Sequence, residues 1–398
     1  ITFWAILKWE NSNDKKIQNK WVILICYMIG LSIGVHLLNL VAIPALALFM
    51  YFKKSNKISL IGVSLSLLAG LVIVGVVTEG IIPGLPSFAS FIERLFINSF
   101  GLPFGSGIVF FILSFVLLLV YLIWYSHVKE KEILNTSILA FTFIIIGYSS
   151  YSLVLIRSNY NPPIDENNPE NVLNFISYLK REQYGYRPLF HGQYFDAEVI
   201  KQEESGVSYK KGDDKYEIKE RKFNYIYDPK RTTIFPRMYS SSPNHIERYR
   251  EIANLSPNEK PSFSDNLLFF LKYQVGHMYL RYFMWNFSGR SSDIQNAEWL
   301  GLSNVFDDVP YQLKNNKARN NYYMIPFILG ILGLLFQYTK DNKNFYVTML
   351  FFILTGIALV VYLNSPPIEP RERDYIYAGS YYAFSIWIGY GSLFIFNL

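Results

Sequence analysis

Long apolar stretches alternate with short polar loops along most of this sequence. Apolar runs of roughly 20 residues, the length that crosses a membrane, fill much of residues 1–156 and 322–398. Residues 157–321 between them contain no such run and are rich in Tyr, Asn, Pro and charged residues. The pattern predicts a mainly α-helical, polytopic membrane protein with about eight membrane segments and one α+β insertion of domain size.

The first long apolar run allows two interpretations. Residues 21–52 are longer than one span and shorter than two, and His36 and Asn39 lie near their middle. One long tilted helix would fit, but lysines flank the run at both ends, and basic flanks are typical of the cytoplasmic side. A hairpin of two short helices that turns at SIGVHLLN is therefore favoured. The other predicted spans are residues 58–78, 107–126, 134–156, 323–338, 345–363 and 378–397.

Lysines in the short loops orient these spans. The loops near residues 15–20, 53–57, 129–131 and 340–343 are basic, and the alternation of the spans puts all of them on one side. Basic loops mark the cytoplasmic side of a membrane protein. The opposite, extracytoplasmic side then receives the SIGVHLLN turn, the insertion and the loop that contains RERDY.

Residues 80–106 are too rich in Gly and Pro to cross the membrane. Their centre, SFASFIERLFINSF, places apolar residues at helical spacing, with Glu93 and Arg94 on the other side. This pattern predicts a short helix that lies in the outer membrane interface.

The insertion, residues 157–321, contains three recognisable patterns. PENVLNFISYLKREQYG predicts a helix that starts at Asn168 and Pro169 and stops at Gly185. Residues 198–228 alternate polar and apolar positions, which predicts β-hairpins. FSDNLLFFLKYQVGHMYLRYFMWNFSG predicts a long aromatic helix that lies against the membrane, since its charges argue against a span.

Composition and charge exclude several classes of site. The chain has 398 residues, and 17% of them are charged. Its net charge of +6 is what the basic cytoplasmic loops of a membrane protein produce, so the charge does not indicate a nucleic-acid-binding protein. Cys26 is the single cysteine, so a disulfide within the chain is impossible, and no Cys/His spacing of zinc type occurs. Phosphate-binding, dinucleotide-binding and hydrolase motifs are missing from the sequence.

The strongest candidate chemistry lies in PPIEPRERDYIYAGS, residues 366–380, which we name the RERDY loop. It concentrates charge between two hydrophobic spans, where an unpaired charge is costly. Arg371 and Arg373, on either side of Glu372, carry the planar guanidinium that binds phosphate or carboxylate in a bidentate manner. Asp374 could act as a base, a metal ligand or the counter-ion of an arginine. A salt-bridged turn that anchors two helices is the alternative interpretation.

Three residues elsewhere are weaker candidates. His36 lies at the proposed outer turn, where it could bind a ligand or transfer a proton, or simply make a structural hydrogen bond. Glu79 ends the third span, just before GIIPG. Arg290 closes GHMYLRYFMWNFSGR, in which arginines and aromatic residues suit a sugar, a lipid headgroup or a protein partner. An amphipathic helix on the membrane is the simpler interpretation of that segment.

Six stretches of the chain are distinctive enough to compare with known families. They are GLSIGVHLLNLVAIPALAL (30–48), EGIIPGLPSFASFIERLFINSFGLPFGSG (79–107), NPPIDENNPENVLNFISYLKREQYGYRPL (161–189), IFPRMYS (234–240), GHMYLRYFMWNFSGR (276–290) and PPIEPRERDYIYAGSYYAFSIWIGYG (366–391). Together they resemble a bacterial family of multi-span membrane proteins of unknown function. That family is similar to the eukaryotic transmembrane protein O-mannosyltransferases and is grouped with the GT-C glycosyltransferases.

The resemblance implies a GT-C-like enzyme of the bacterial inner membrane, with the insertion facing the periplasm. Such an enzyme moves a sugar, for example mannose, from a polyprenyl-phosphate carrier to a protein or glycan acceptor. In GT-C enzymes a carboxylate of the first outer loop is commonly the base or a metal-site residue. The family's acidic motif in that loop would precede Ile1, so we expect the sequence to be an internal piece of a longer protein.

The resemblance also assigns expected roles within the sequence. Asp374 and Glu79 are the weak catalytic candidates, while the base is expected upstream. A divalent metal stays open as a cofactor, and membrane lipid, the lipid-linked sugar and the acceptor are the expected partners. The residues expected to line the donor site are Arg371, Glu372, Arg373, His36 and Arg290.

Two other function classes remain open from sequence. A non-enzymatic scaffold in an envelope assembly or export complex would use the aromatic-rich insertion as a docking surface. A transporter is less favoured, because the centres of the predicted spans lack the charged residues that line a substrate path.

Overall fold

Two compact units make up the chain. The structure, a computed structural model, describes residues 1–55, 57–182, 185, 187–306 and 308–397, without the side chains of Leu38 and Val305. Unit 1 comprises Ile1–Tyr186 and Glu203–Asn224, and unit 2 comprises Arg187–Gln202 and Tyr225–Leu398. Residues of the predicted insertion therefore occur in both units.

Long apolar helices make this an integral membrane protein. Five helices in the described part of the chain are long and apolar enough to cross a membrane: Lys15–Val35, Leu60–Phe100, Ser106–Val128, Glu132–Ser158 and Asn342–Leu363. Ile325–Lys340 is apolar but shorter. Two further predicted spans are also helical. The second half of the run at residues 21–52 forms a helix over Ile43–Lys54, and the span predicted at residues 378–397 forms one over Ala378–Phe396.

The run at residues 21–52 does not form one continuous helix. After α1 (Thr2–Glu10), helix α2 (Lys15–Val35) ends at His36, whose backbone is extended, and Leu37–Ala42 form a 3-10 turn. Helix α3 (Ile43–Lys54) follows, with Pro44 in its first turn, where a missing N–H costs nothing.

The rest of unit 1 is helical apart from one hairpin. Four longer helices come first among its remaining described helices, and two short helices follow. They are α4 (Leu60–Gly75), continued by a π-helical segment Val76–Gly84, then α5 (Leu85–Phe100), α6 (Ser106–Val128), α7 (Glu132–Ser149), α8 (Ser152–Ser158) and α9 (Val172–Leu179).

Helix directions in unit 1 agree with the predicted alternation of spans. Tyr27 and Gly30 of α2 lie against Phe143 and Gly147 of α7, so these two helices are parallel. Helix α3 meets α4 in the opposite sense, since Pro44 approaches Gly70 while Tyr51 approaches Gly62. Small residues at the α2–α7 contact let the two backbones come close.

The predicted position of Glu93 is wrong, although α5 itself is confirmed as a helix. Glu93 is buried rather than turned away from the apolar side. Its carboxylate accepts hydrogen bonds from the backbone N–H groups of Gly105, at 2.6 Å, and Ile108, at 3.0 Å. These are N–H groups at the start of α6 that have no partner within the helix. Glu93 therefore caps α6.

Small antiparallel sheets follow in the insertion. Strands β2 (Val199–Lys211) and β3 (Tyr216–Tyr227) pair, which confirms a β-hairpin in residues 198–228. The helix predicted before this hairpin is α9 (Val172–Leu179), which is shorter than expected. It starts late because Asn171 caps it, accepting a hydrogen bond from the N–H of Asn174. The remaining described pairs are β1 (His191–Gln193) with β4 (Thr232–Ile234), and β5 (Gly289–Arg290) with β6 (Asn320–Asn321).

Unit 2 is organised around one long helix. Helix α11 (Phe263–Phe269), a π-helical segment Phe270–Leu280 and α12 (Arg281–Phe287) continue one another, and we name them together the central helix. The other helices of the unit are α10 (Pro243–Ala253), α13 (Tyr311–Lys314), α14 (Ile325–Lys340), α15 (Asn342–Thr355), α16 (Ile357–Leu363) and α17 (Ala378–Phe396).

The central helix confirms the predicted helix but corrects its expected surface position. A capping box between Ser262 and Asp265 starts it. Most side chains of α12 are buried, and the ring of Phe283 packs against Phe352 and Phe384. Six of the seven residues of α12 are buried, so every side of this part of the helix is covered, as in a buried helix. The central helix is therefore a core helix of unit 2.

Three apolar helices enclose that core. Helix α14 runs parallel to α17, because Gly330 lies against Phe384 while Phe336 lies against Phe394. Helix α15 runs antiparallel to α17, since Phe345 contacts Trp387 and Phe351 contacts Tyr382. These directions match the predicted alternation in residues 322–398.

Candidate functional site

A pocket in unit 2 that charged and apolar residues line together lies between the RERDY loop and the central helix. Its volume is about 240 Å³. The central helix lines it partly through its π-helical segment, a widened turn that is frequent at functional sites. The charged and polar residues that line it include Arg248, His277, Tyr282, Asn296, Glu369, Arg371 and Glu372.

Glu372 forms the most heavily bonded ion pair of the pocket. Arg281, only 3% exposed, donates from Nη2 to Oε2 of Glu372 at 2.9 Å and from Nη1 to Oε1 at 3.3 Å. The hydroxyl of Tyr282 also donates to Oε2, and the backbone N–H of Asn296 donates to Oε1 at 2.5 Å. Both carboxylate oxygens are thereby occupied.

These contacts set the ionisation of Glu372. Burial by itself would raise the pKa of its carboxyl, but the hydrogen bonds from Arg281, Tyr282 and Asn296 outweigh burial and lower the pKa from 4.5 to about 2. Glu372 is therefore a carboxylate at neutral pH, fixed in place and unable to serve as a proton acceptor in this range.

Glu369 differs from Glu372, because one of its oxygens is unoccupied. Its Oε2 pairs with Nη2 of Arg373 at 3.0 Å, and the side chain is 6% exposed. Its Oε1 is buried without a hydrogen-bond partner among the described residues. A buried carboxylate oxygen without a donor is costly, so this atom is suited to a donor from a bound molecule.

Arg371 is the cation of the RERDY loop that remains available. It is exposed at the pocket and forms no ion pair with any of the described residues. Arg248 lines the same pocket from α10, where it pairs with Glu251. Glu372 and Glu369 of the same lining are paired with Arg281 and Arg373, so Arg371 leaves the described part of the pocket with an unpaired cation, which favours an anionic group there.

His277 contributes a neutral ring to the pocket wall. Burial lowers the pKa of its imidazole, and the nearby charge of Arg281 lowers it further. The ring stacks on Tyr273 and lies with Nε2 3.2 Å from Oδ1 of Asn296. Asn296 therefore has two partners in the pocket, because its side chain contacts His277 and its backbone N–H donates to Glu372.

Arg290 lies behind this pocket rather than in its lining. Its guanidinium stacks over the ring of Trp285 at 3.9 Å, and Arg281 lies over the same indole at 4.7 Å. The indole N–H of Trp285 donates to the carbonyl of Ala297 at 3.1 Å. Arg290 and Arg281 thus pack on the same indole, and Arg281 is the one that pairs with Glu372 of the pocket.

A buried amide network fixes the chain just before the RERDY loop. Asn364 has a left-handed backbone (φ 40°) after α16 and is fully buried. Its Nδ2 donates to the carbonyls of Pro188, at 2.7 Å, and Pro236, at 2.9 Å. Its Oδ1 accepts from Nε2 of Gln274 at 3.0 Å. The loop is thus tied to the central helix through one side chain.

The other predicted site residues are not in this pocket. His36 and Glu79 belong to unit 1, and neither lines the unit 2 pocket. Asp374 begins the 3-10 turn Asp374–Tyr377 and does not line the pocket either. No cluster of three or more His, Cys, Asp or Glu side chains that could hold a metal ion occurs within the described residues.

Comparisons with known proteins match two separate parts of the chain. Residues 1–59 match the protein O-mannosyl-transferase TMEM260 N-terminal domain. Residues 185–271 match a family of unknown function, DUF8416. No curated protein and no solved structure matches the chain. The first match supports the relation to the eukaryotic protein O-mannosyltransferases and suggests a glycosyltransferase-like role.

Sequence reasoning missed some of the pocket residues. Arg248 and Tyr273 carry no local signal, because they meet the RERDY loop only through folding. The pairing of Glu369 with Arg373 was open to prediction, since the spacing is four residues and the charges are opposite. The partner of Glu372 is Arg281, which is 91 residues away, so only the structure could identify it.

Proposed function

We propose that this protein is a membrane glycosyltransferase that moves a sugar, with mannose as a candidate, from a polyprenyl-phosphate carrier to a protein or glycan. The reaction would occur on the extracytoplasmic face, which is the periplasmic face of a bacterial inner membrane. The observation that carries the proposal is the unit 2 pocket, in which Arg371 and Arg248 face a cavity of about 240 Å³. The match of residues 1–59 to an O-mannosyltransferase domain supports the same reaction class.

The pocket supplies the charges that this transfer requires. Negative charge develops on the phosphate as the bond to the sugar breaks, and fixed cations stabilise that charge. Arg371 and Arg248 would bind the phosphate oxygens. The free Oε1 of Glu369 would accept a hydrogen bond from a hydroxyl of the bound sugar.

The ion pairs of the loop give Glu372 and Arg373 a different role from the one expected. Glu372 is committed to Arg281, and Arg373 is committed to Glu369. In this proposal they position Arg371 and Glu369 and do not bind the phosphate themselves. A loop held by buried ion pairs presents its free cation without having to reorganise when the donor binds.

Arg371→Ala in the full-length protein is expected to reduce sugar transfer from a polyprenyl-phosphate donor at least about tenfold. The side chain is exposed and has no ion pair among the described residues, so its loss should leave the fold intact. Transfer of labelled sugar is measured in membrane vesicles, and Arg371→Lys should retain part of the activity because it keeps the charge.

Arg221→Ala serves as the matched control for Arg371→Ala. Arg221 is an exposed arginine on strand β3, paired only with Glu204 among the described residues, and it lies outside the pocket. If both variants transferred sugar at the wild-type rate, the pocket would not be the donor site, and a scaffold function would become the better explanation.

A further inference from the structure

A second polar cleft occurs in unit 1, separate in its residues from the pocket already described. It has a volume of about 280 Å³ and lies between α5, α9 and the β2–β3 hairpin. Four serine side chains line it, Ser87 and Ser90 of α5, Ser177 of α9 and Ser208 of β2. A serine hydroxyl can both donate and accept a hydrogen bond, so it can pair with the hydroxyl groups of a sugar.

Positive charge exceeds negative charge in this cleft. Its described lining includes the cations Arg94, Lys180, Lys219 and Lys222 and the carboxylates Glu182 and Glu220. Only Lys222 is paired, with Glu182 at 2.7 Å, and Glu182 also accepts from the hydroxyl of Ser177. The other three cations form no ion pair among the described residues and leave an uncompensated positive surface.

Arg94 is a cation of the cleft that packs against an aromatic ring. Its guanidinium lies over the ring of Tyr209 at 4.1 Å, and its Nε is buried without a hydrogen-bond partner among the described residues. A buried guanidinium N–H without an acceptor costs free energy that a bound anion would recover.

Contacts at both ends of the hairpin hold the walls of the cleft. Near the turn, Asn98 of α5 donates to the carbonyl of Tyr216 at 2.8 Å and accepts from its N–H at 2.9 Å. Further along β3, the Lys222–Glu182 pair joins the hairpin to the residues after α9. The cavity is thus built into the unit and does not depend on a ligand for its shape.

We propose that this cleft is a binding site for a small carbohydrate that carries one anionic group, a phosphate or a carboxylate. Arg94 and Lys219 would bind the anion, and the serine hydroxyls would bind the hydroxyl groups of the sugar. The inference is independent of the function proposed for unit 2, because it uses only residues of unit 1.

The test is a binding titration with the full chain in detergent micelles. The probes are a hexose phosphate, a hexuronate, the neutral hexose and inorganic phosphate, each measured by ligand-observed NMR. The titrations are repeated in Arg371→Ala, so that any binding of an anion at Arg371 of the unit 2 pocket is distinguished from binding in the cleft. One of the two acidic sugars should bind at least tenfold more tightly than the neutral hexose and than inorganic phosphate, and added salt should weaken its binding.

Variants decide whether that binding occurs in the cleft. Lys219→Gln and Arg94→Gln should each weaken binding of the acidic sugar at least threefold. Lys210→Gln is the matched control, since Lys210 lies on the same hairpin, pairs with Glu217 and does not line the cleft. Lys219 is exposed and unpaired among the described residues, so its substitution reports on the site even if Arg94→Gln perturbs the fold.

Three results would overturn the proposal. The first is that neither acidic sugar binds. The second is that inorganic phosphate binds as tightly as the better of the two acidic sugars. The third is that Lys219→Gln binds that sugar as tightly as the Lys210→Gln control does. The preference between hexose phosphate and hexuronate would identify the anionic group.

Discussion

Glu372→Gln is expected to lower the free energy of unfolding by about 3–5 kcal/mol. The substitution removes the negative charge that compensates Arg281, which is 3% exposed. An uncompensated buried guanidinium is far more costly than the ion pair is favourable. The measurement is equilibrium unfolding of the purified protein in mixed detergent and SDS micelles.

Glu298→Gln is the control for that substitution. Glu298 lies close in sequence to Asn296, is exposed, and makes no ion pair with any of the described residues. Its substitution should change the unfolding free energy by less than about 0.5 kcal/mol. Equal effects of the two variants would show that the Glu372–Arg281 pair does not stabilise the pocket.

The same pair predicts a dependence on pH with a definite sign. The pKa of Glu372 is lowered to about 2 from 4.5, because hydrogen bonds from Arg281, Tyr282 and Asn296 outweigh the raising effect of burial. A carboxyl with a lowered pKa contributes its full stability above about pH 4.5 and loses it as the pH falls toward 2. The stability difference between wild type and Glu372→Gln should therefore shrink over that interval.

Asn364→Ala is the second substitution with a large expected effect, about 3 kcal/mol or more of lost stability. It would leave the buried carbonyls of Pro188 and Pro236 and the amide of Gln274 without the partner that Asn364 now provides. Each buried polar group left unpaired costs about 1–3 kcal/mol. Chemical unfolding in micelles again provides the measurement.

Asn254→Ala separates lost hydrogen bonds from backbone strain. Asn254 also has a left-handed backbone, with φ 57° against 40° for Asn364, but it is exposed at the end of α10. Alanine is strained in this conformation at both sites, while only Asn364 loses buried hydrogen bonds. Similar losses at the two sites would contradict the role assigned to the Asn364 network.

Local patterns predicted the elements well where one physical cause dominated. Apolar runs identified the long helices, and the alternation in residues 198–228 identified the β2–β3 hairpin. The relative directions of the helices within each unit also follow from alternation of the spans. The caps of α6 and α9 were missed, since Glu93 and Asn171 act through side-chain hydrogen bonds to backbone N–H groups, which hydropathy does not encode.

The candidate site shows where sequence reasoning ended. A cluster of charges between apolar runs identified the RERDY loop, because such charges must be paired or functional. The sequence could not say which charges were paired. The structure assigns Glu372 to Arg281 and Arg373 to Glu369, and so leaves Arg371 as the available cation.

The surface position predicted for the central helix was wrong for a related reason. Lys272, His277 and Arg281 interrupt its apolar pattern, which favoured an amphipathic helix at the membrane. Arg281 is instead buried, because its charge meets Glu372 inside unit 2. A charged residue therefore marks an exposed face only when no partner is close in the fold.

The proposed glycosyltransferase must bind the phosphate of a lipid-linked sugar in the unit 2 pocket. The measurement is equilibrium binding of a polyprenyl-phosphate sugar to the purified full-length protein in lipid nanodiscs, with wild type, Arg371→Glu and Arg221→Glu compared at the same salt concentration. We predict that Arg371→Glu weakens binding at least tenfold and Arg221→Glu leaves it within twofold of wild type. Equal affinities for wild type and Arg371→Glu would contradict the proposal.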